Sequence, residues 1–416
     1  MKLDNYGSTI RLAVLGYGCR GKTMLELLLD MPDIRVTAVC DTEPDRLEAA
    51  ARRVKERQGI EPFASAVSLE CVQREDVDAV VIFTAWEAHI PQAIEALKNR
   101  KPAAMEVGGA LSVEECWRLV RAKEETGVPV MLLENCCYGE TELTLLNMLR
   151  KGLFGTLVHC EGSYAHDLRD EIGLGDINRH YRQRHFLRRN GELYPTHELG
   201  PIATWLGINH GDRMVSLVSM ASKACGLHEW LQEHRPDSPA LQNAQVNEGD
   251  VVTTMIKCAN GETIILKHDC TLPRPYSRGG CLRGTKGMWL EDNRSCFIEG
   301  HSPVDPTHWT HRWESDKRYM EEYRHPIWQE YHRIGERGGH DGMDFLVLRA
   351  FIESIRDNTP PPIDVYDAAA WMSITALSEQ SIALGSQPLP IPDFTSGRWL
   401  QERRDRAAGT FALFEK

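Results

Sequence analysis

One stretch near the start of the chain constrains the fold more than any other. Gly16-Tyr17-Gly18-Cys19-Arg20-Gly21 lies between an apolar run, Ile10 to Leu15, and a helical pattern, Lys22 to Leu29. A G-x-G-x-x-G that closes a strand and opens a helix is built around a tight turn. Gly16 permits the turn, Gly18 lets backbone approach a ligand, and Gly21 lets helix and strand pack closely. The free N–H groups and the dipole at the helix start favour a pyrophosphate. Asp41 stands about 20 residues further on, at the end of the next apolar run, where the dinucleotide fingerprint has its acidic residue. Its carboxylate can accept from adenosine ribose hydroxyls and repels a 2′-phosphate, so the expected cofactor is NAD rather than NADP. A glycine-rich turn that binds nothing is the bland alternative.

The pattern that follows agrees. Ile34 to Cys40, Ala79 to Phe83, Ala103 to Glu106 and Val130 to Leu133 read as strands. Glu43 to Arg57, about Ile90 to Lys98, and Val113 to Thr126 read as helices between them. Continuous apolar strands alternating with helices predict a parallel sheet covered on both faces, a Rossmann domain over residues 1–155. Beyond Gly155 the character changes. Leu157 to Tyr164, Met214 to Met220, Val251 to Cys258, Thr263 to Lys267 and Met288 to Glu291 read as strands, and Asn260-Gly261 is a hairpin signal. Residues 156–416 are therefore expected to form an α+β domain with an open, mainly antiparallel sheet. Two late helices, Met343 to Arg356 and Val365 to Ala383, complete the α/β chain.

Composition removes several classes. Of 416 residues, 42% are apolar, enough for two cores, and the net charge of −12 comes without a basic block, so nucleic acid is not an expected partner. No apolar run approaches the roughly 20 residues of a spanning helix, so membrane is not expected either. The short polar stretch Met1 to Ile10 leads straight into a strand and points to the cytoplasm. The 12 cysteines are scattered, many in apolar runs, as buried free thiols are. Cys136-Cys137 is not a CxxC motif, and no Cys or His spacing calls for a metal. A homo-oligomer is compatible with all of this.

Ligands of a parallel sheet lie beyond the carboxyl ends of its strands. Trp86, Glu87, Ala88 and His89 follow one such end, Glu106 and Val107 another, and Asn135 a third, where it can hold the nicotinamide ribose or amide. Two clusters mark the second domain. Tyr164 and His166 share a face at strand spacing. Tyr194-Pro195-Thr196-His197 reads as a helix start with His197 in its first turn. Arg179, Arg182, Arg184 and Arg188 lie between them. A lone His or Tyr is ordinarily a structural residue. Two such clusters with arginine, in a chain that binds NAD, suit a polyhydroxylated ligand and proton transfer near neutral pH.

The glycine motif, the Glu106 strand and the sheet domain resemble the glucose-fructose oxidoreductase, inositol dehydrogenase and MocA (Gfo/Idh/MocA) family. Most of its members carry Glu-Lys-Pro at the end of the fourth strand, and the lysine assists hydride transfer. This chain reads Glu106-Val107-Gly108. The branch that lacks the lysine is glycoside hydrolase family 109, whose members are NAD-dependent glycosidases, the founding activity being α-N-acetylgalactosaminidase. The chain is similar to that branch at Glu134 to Tyr138, Gly162 to Arg169, Leu193 to His197 with Leu199 to Pro201, Gly338 to Phe345, and Asp364 to Ala370.

The resemblance implies cofactor contacts at Cys19, Arg20, Asp41, Trp86 to His89, Glu106, Val107 and Asn135. It implies sugar contacts at Tyr164, Arg182, Tyr194 to His197 and Tyr276, with Tyr194 reaching the cofactor as well. Glu198 stands where the family usually has Gly, and a carboxylate beside His197 can change which sugar fits. Gly339-His340-Asp341-Gly342 varies a more glycine-rich pattern. The implied mechanism keeps NAD bound and recycles it. C3 of the sugar is oxidised, the C2 proton is removed, the aglycone leaves C1, water adds, and the hydride returns. His197 is the expected base at the 3-hydroxyl and Tyr164 the carrier of the C2 proton, aided by His166. An NAD-dependent sugar dehydrogenase or epimerase is the nearest rival, and a non-catalytic NAD or sugar sensor the more distant one.

Overall fold

The short apolar strands fold together as their lack of polar alternation requires. In a computed structural model describing residues 7–304, 310, 312–335, 338–400 and 409–414, β1 (Ile10–Leu15), β2 (Ile34–Cys40), β3 (Phe63–Ser65), β4 (Ala79–Ile82), β5 (Ala103–Met105) and β6 (Val130–Leu132) form one sheet. Its order is β3-β2-β1-β4-β5-β6, with every pair parallel. Every residue of β4, β5 and β6 is buried, as strands covered on both faces must be. The order reverses between β1 and β4, which places the ligand crevice beyond those strand ends. The stretch Met1 to Ile10 lies for its first six residues outside the described ones.

Two helix starts differ from the sequence reading. The first helix spans Cys19–Leu29, with Gly18 as its N-cap, so Cys19 and Arg20 belong to its first turn. The helix after β4 spans Trp86–Lys98 and carries Pro91 inside it. A proline this near the start of a helix removes a single intrahelical bond and need not mark the boundary. Trp86 to His89 therefore form a first turn.

The chain returns to this unit late. It comprises Met1–Gly139, His325–Ala369 and Glu402–Lys416, the second unit being Glu140–Arg324 and Ala370–Gln401. The reading 1–155 and 156–416 thus differs at both ends. Helix Glu140–Arg150 joins the second unit because it packs on helices Thr196–Leu206 and Lys317–Glu322. Helix Met343–Arg356 joins the first, where Arg349 Nη1 donates to both oxygens of Asp33 at 2.9 Å with both side chains buried.

In the second unit, β7 (Leu157–Ala165), β8 (Met214–Ala221), β9 (Val252–Cys258), β10 (Thr263–Asp269), β11 (Cys281–Gly284), β12 (Gly287–Leu290), β13 (Ser295–Ile298), β14 (Glu314–Ser315) and β15 (Leu389–Pro390) form a nine-stranded sheet. Its order is β14-β13-β12-β11-β7-β10-β9-β8-β15, antiparallel except for the β7–β10 pair. Burial alternates along β9, the mark of a sheet with one covered face. β9 and β10 meet at the Asn260-Gly261 hairpin. Helix Thr196–Leu206 lies on the face of β7 that carries Gly162 and Tyr164. A Cβ on Gly162 would come within 2.7 Å of Glu198 Cβ, so the absent side chain is what lets helix and strand approach.

All 12 cysteines are free, and all but Cys19 and Cys225 are buried. Among the described residues no helix is long and apolar enough to cross a membrane.

Candidate cofactor and sugar sites

The first unit gathers the residues expected at a dinucleotide. Gly16 has φ +94°, and a Cβ there would meet Phe83 O at 2.6 Å. A Cβ on Gly21 would meet Gly16 O at 2.2 Å, whereas Gly18 has nothing nearer than Arg46 Nη1 at 3.8 Å. The two packed glycines shape the turn and the open one leaves approach for a ligand, which is the fit a pyrophosphate needs. Asp41 directly follows β2 as expected, and its carboxylate accepts from the Tyr17 amide at 2.7 Å and the Glu43 amide at 2.9 Å. It therefore holds the glycine turn, with lone pairs left over for ribose hydroxyls.

Arg20 reaches from the first helical turn to Glu106 at 2.8 Å and to Asp344 at 2.6 and 2.7 Å. Burial works against its charge, but Glu106 and Asp344 outweigh that and keep it a cation. Asn135, buried, opens a short 3-10 turn after β6 and donates from Nδ2 to Asp344 at 2.7 Å. His89, fully buried, sits with Nε2 2.9 Å from Thr84 O, and burial lowers its pKa, so it stays neutral. Glu87 and Ala88 are half-buried and Cys19 is exposed. Val107 is buried, and its amide donates to Glu106 Oε2 at 3.0 Å. Gly108 stands where the wider family's Glu-Lys-Pro has its proline. It has φ +150°, and a Cβ would lie 2.4 Å from the buried Trp86 indole. Proline, fixed near φ −65°, cannot stand there.

The second unit brings the sugar-site residues together. Tyr164 lies near the end of β7 with its ring 4.5 Å from Tyr194 and 5.6 Å from His197. Tyr194 and His197 lie edge to face at 4.9 Å, because Pro195 caps helix Thr196–Leu206 and turns His197 into its first turn. Pro195 and Thr196 are buried beside them. Arg182 Nη1 donates to Tyr164 Oη at 3.4 Å, and its guanidinium lies 5.1 Å from the centre of the Tyr194 ring. Glu171 pairs with Arg182 at 3.0 Å. Burial pushes the Tyr164 phenol up to about 12, with Arg182 opposing the rise. His166, just past β7, lies 6.3 Å from Tyr164 and 5.2 Å from Tyr276, whose ring is half exposed. Arg179, Arg184 and Arg188 are exposed, which leaves Arg182 as the arginine of this cluster.

Three carboxylates of the second unit are differently engaged. Asp167 pairs with Arg169 at 2.7 Å and Asp176 with Arg235 at 2.7 Å. Glu198 is buried against Gly162. It lies in a buried layer that sequence reasoning missed. His268 pairs with Tyr164 across β10 and β7 and stacks on its ring at 6.3 Å. Its Nδ1 lies 3.1 Å from Glu248 Oε1, and Glu248 accepts from the Gly191 amide at 3.0 Å. Burial lowers the His268 pKa, raises that of Glu248, and pushes Glu192 up to about 7. The place of His268 opposite Tyr164 is set by the β7–β10 register, which leaves no local signal in the sequence. Asp344 was missed too, although it lies in the stretch Gly338 to Phe345 that carried part of the resemblance.

A Rossmann unit with these strand-end residues, joined in one chain to a sheet unit bearing a Tyr-His-Arg cluster, defines the two-domain NAD-binding class. Comparison with known proteins bears this out. Residues 10–133 match the oxidoreductase family with an NAD-binding Rossmann fold, and residues 138–401 match the glycosyl hydrolase 109 C-terminal domain. The chain belongs to glycosyl hydrolase family 109 and is a glycoside hydrolase built on an NAD-binding Rossmann fold. A family 109 protein of Stenotrophomonas maltophilia is 40% identical over 95% of this chain and 91% of its own length. An α-N-acetylgalactosaminidase of Tannerella forsythia is 36% identical over 95% of this chain and 88% of its own. The fold is also that of scyllo-inositol dehydrogenase from Lactobacillus casei, solved with NAD(H) and scyllo-inositol. That structure aligns with TM-score 0.64 and 16% identity, over 92% of this chain and 99% of the other.

Proposed function

We propose that this glycosidase acts on α-N-acetylgalactosaminides or closely related glycosides by transient oxidation at C3, elimination across C1–C2, and addition of water. The observation that carries the reading is the Tyr164–Tyr194–His197 cluster with Arg182, set among carboxylates that are ion-paired or buried. Direct displacement needs two carboxyl groups astride the bond. Proton transfer needs a cluster like this one.

Gly16, Gly18, Gly21 and Asp41 would hold the adenosine and pyrophosphate half of NAD, and Arg20, Glu106 and Asn135 would flank the other half. Bound NAD supplies the acceptor, and later the donor, of the C3 hydride. His197 takes the proton of the 3-hydroxyl. Tyr164, as its phenolate, takes the C2 proton and becomes the phenol, and Arg182 stabilises the phenolate beforehand. The phenol so formed, which burial favours over the phenolate, returns a proton to C2 when water adds. Tyr194 and Arg182 orient the ring, and His166 and Tyr276 border the more open side of the cluster. Glu198, turned toward β7, acts on specificity through the seat of the His197 helix.

The test is to follow cleavage of nitrophenyl glycosides with and without added NAD⁺. Many turnovers with no net NADH support the proposal. Accumulation of NADH in step with product would instead favour the dehydrogenase reading.

A further inference from the structure

Asp344 belongs to no strand end and to no part of the glycine motif, yet it joins three segments that border the cofactor crevice. It stands in the first turn of helix Met343–Arg356 with its carboxylate fully buried. Oδ1 accepts from Arg20 Nη2 at 2.7 Å and from Asn135 Nδ2 at 2.7 Å. Oδ2 accepts from Arg20 Nη1 at 2.6 Å and lies 2.8 Å from His340 Nδ1. Burial alone would raise this carboxyl, but His340 and Arg20 outweigh it and hold it well below the usual carboxylate range.

The partners are not spread evenly about the crevice. Asp41 follows β2, on the adenosine side of the point where strand order reverses. Glu106 follows β5 and Asn135 follows β6, both on the other side. Arg20 bridges Glu106 to Asp344, and Asn135 is tied to Asp344 directly. With its lone pairs occupied and no exposed surface, Asp344 has no means of touching NAD.

We infer that Asp344 is the positioning residue of the nicotinamide half of the NAD site, presetting Arg20 and Asn135 through its bidentate and amide contacts. The inference rests on the NAD reading above. A side chain that only stabilised the fold would affect all ligands alike. One that presets the β5–β6 side affects NAD and spares a ligand that lacks the nicotinamide riboside.

The experiment titrates NAD and ADP separately into full-length wild type and Asp344→Asn, stripped of cofactor, with a melting curve for each. Asparagine keeps the shape but turns a donor toward Arg20 or Asn135. The expected result is NAD binding weakened about ten-fold or more, the scale of a charge-assisted hydrogen bond, with ADP within about two-fold. Both affinities unchanged, or both weakened alike, overturns the inference while leaving the NAD reading intact. Wild type that binds neither ligand overturns the NAD reading itself. Should Asp344→Asn not fold, His340→Ala removes one partner of Oδ2 from a half-exposed position. A selective loss of NAD affinity of about two-fold or more then supports the inference, and unchanged NAD affinity overturns it.

Discussion

Replacing Tyr164 with Phe separates chemistry from architecture at one atom. Among the described residues the phenol makes one hydrogen bond, at 3.4 Å from Arg182, near the long end of the useful range. Arg182 keeps Glu171 at 3.0 Å when that bond is lost. The ring keeps Tyr194 at 4.5 Å, His197 at 5.6 Å and the His268 stack at 6.3 Å. Stability should therefore fall by no more than about 1 kcal/mol, the worth of one ordinary hydrogen bond. Loss of a proton-transfer group costs about 10²- to 10⁴-fold in rate, or about 3 to 5 kcal/mol of barrier. The assay runs cleavage in D₂O and reads deuterium at C2 of the released sugar by mass spectrometry. Wild type should incorporate it, and Tyr164→Phe should lose exchange and cleavage together while melting near wild type. Tyr164→Phe that turns over at nearly the wild-type rate refutes the role given to Tyr164. Efficient wild-type cleavage with the C2 hydrogen fully retained refutes the elimination route altogether.

His197→Ala should lower the cleavage rate by about 10²- to 10⁴-fold and leave NAD affinity unchanged, read by turnover and titration; near-full activity would make His197 structural. Wild type should bind NAD in strong preference to NADP, because the Asp41 carboxylate repels a 2′-phosphate, and equal affinities in a side-by-side titration would contradict that. The depressed Asp344 carboxyl implies a pH limb of stability. Its contribution is present above the unfolded carboxylate value of about 3.9 and is lost as pH falls through the lower folded value, so Asp344→Asn should flatten the acid side of a melting-temperature profile. An unchanged acid limb in that variant would place the acid sensitivity elsewhere.

Much of the fold was legible because it rests on local rules. Apolar runs without alternation specified the parallel sheet, strand runs with the Asn260-Gly261 turn specified the antiparallel one, and Gly16 to Gly21 with Asp41 specified the nucleotide turn. Helix Val113–Thr126 matched its reading end to end, because Ser112 caps its start and Gly127 its end. The start of the Trp86 helix was misread for a local reason as well, since Pro91 signals a boundary that the helix absorbs. The clusters Tyr164-His166 and Tyr194-His197 were found by spacing.

What the amino-acid order alone determined, then, is the set of elements, the cofactor turn and the residue types at the sugar cluster. Each depends on neighbours within one strand or one helical turn. Only the tertiary structure decided that Arg182, and not Arg179, Arg184 or Arg188, joins Tyr164. It alone turned Glu198 toward Gly162, stacked His268 beneath the Tyr164 ring, and returned Asp344 to Arg20 and Asn135. The physical reason is one of range: these contacts join residues far apart in sequence. Their partners are selected by strand register, close backbone approach and the need to satisfy buried charge, none of which a local pattern records.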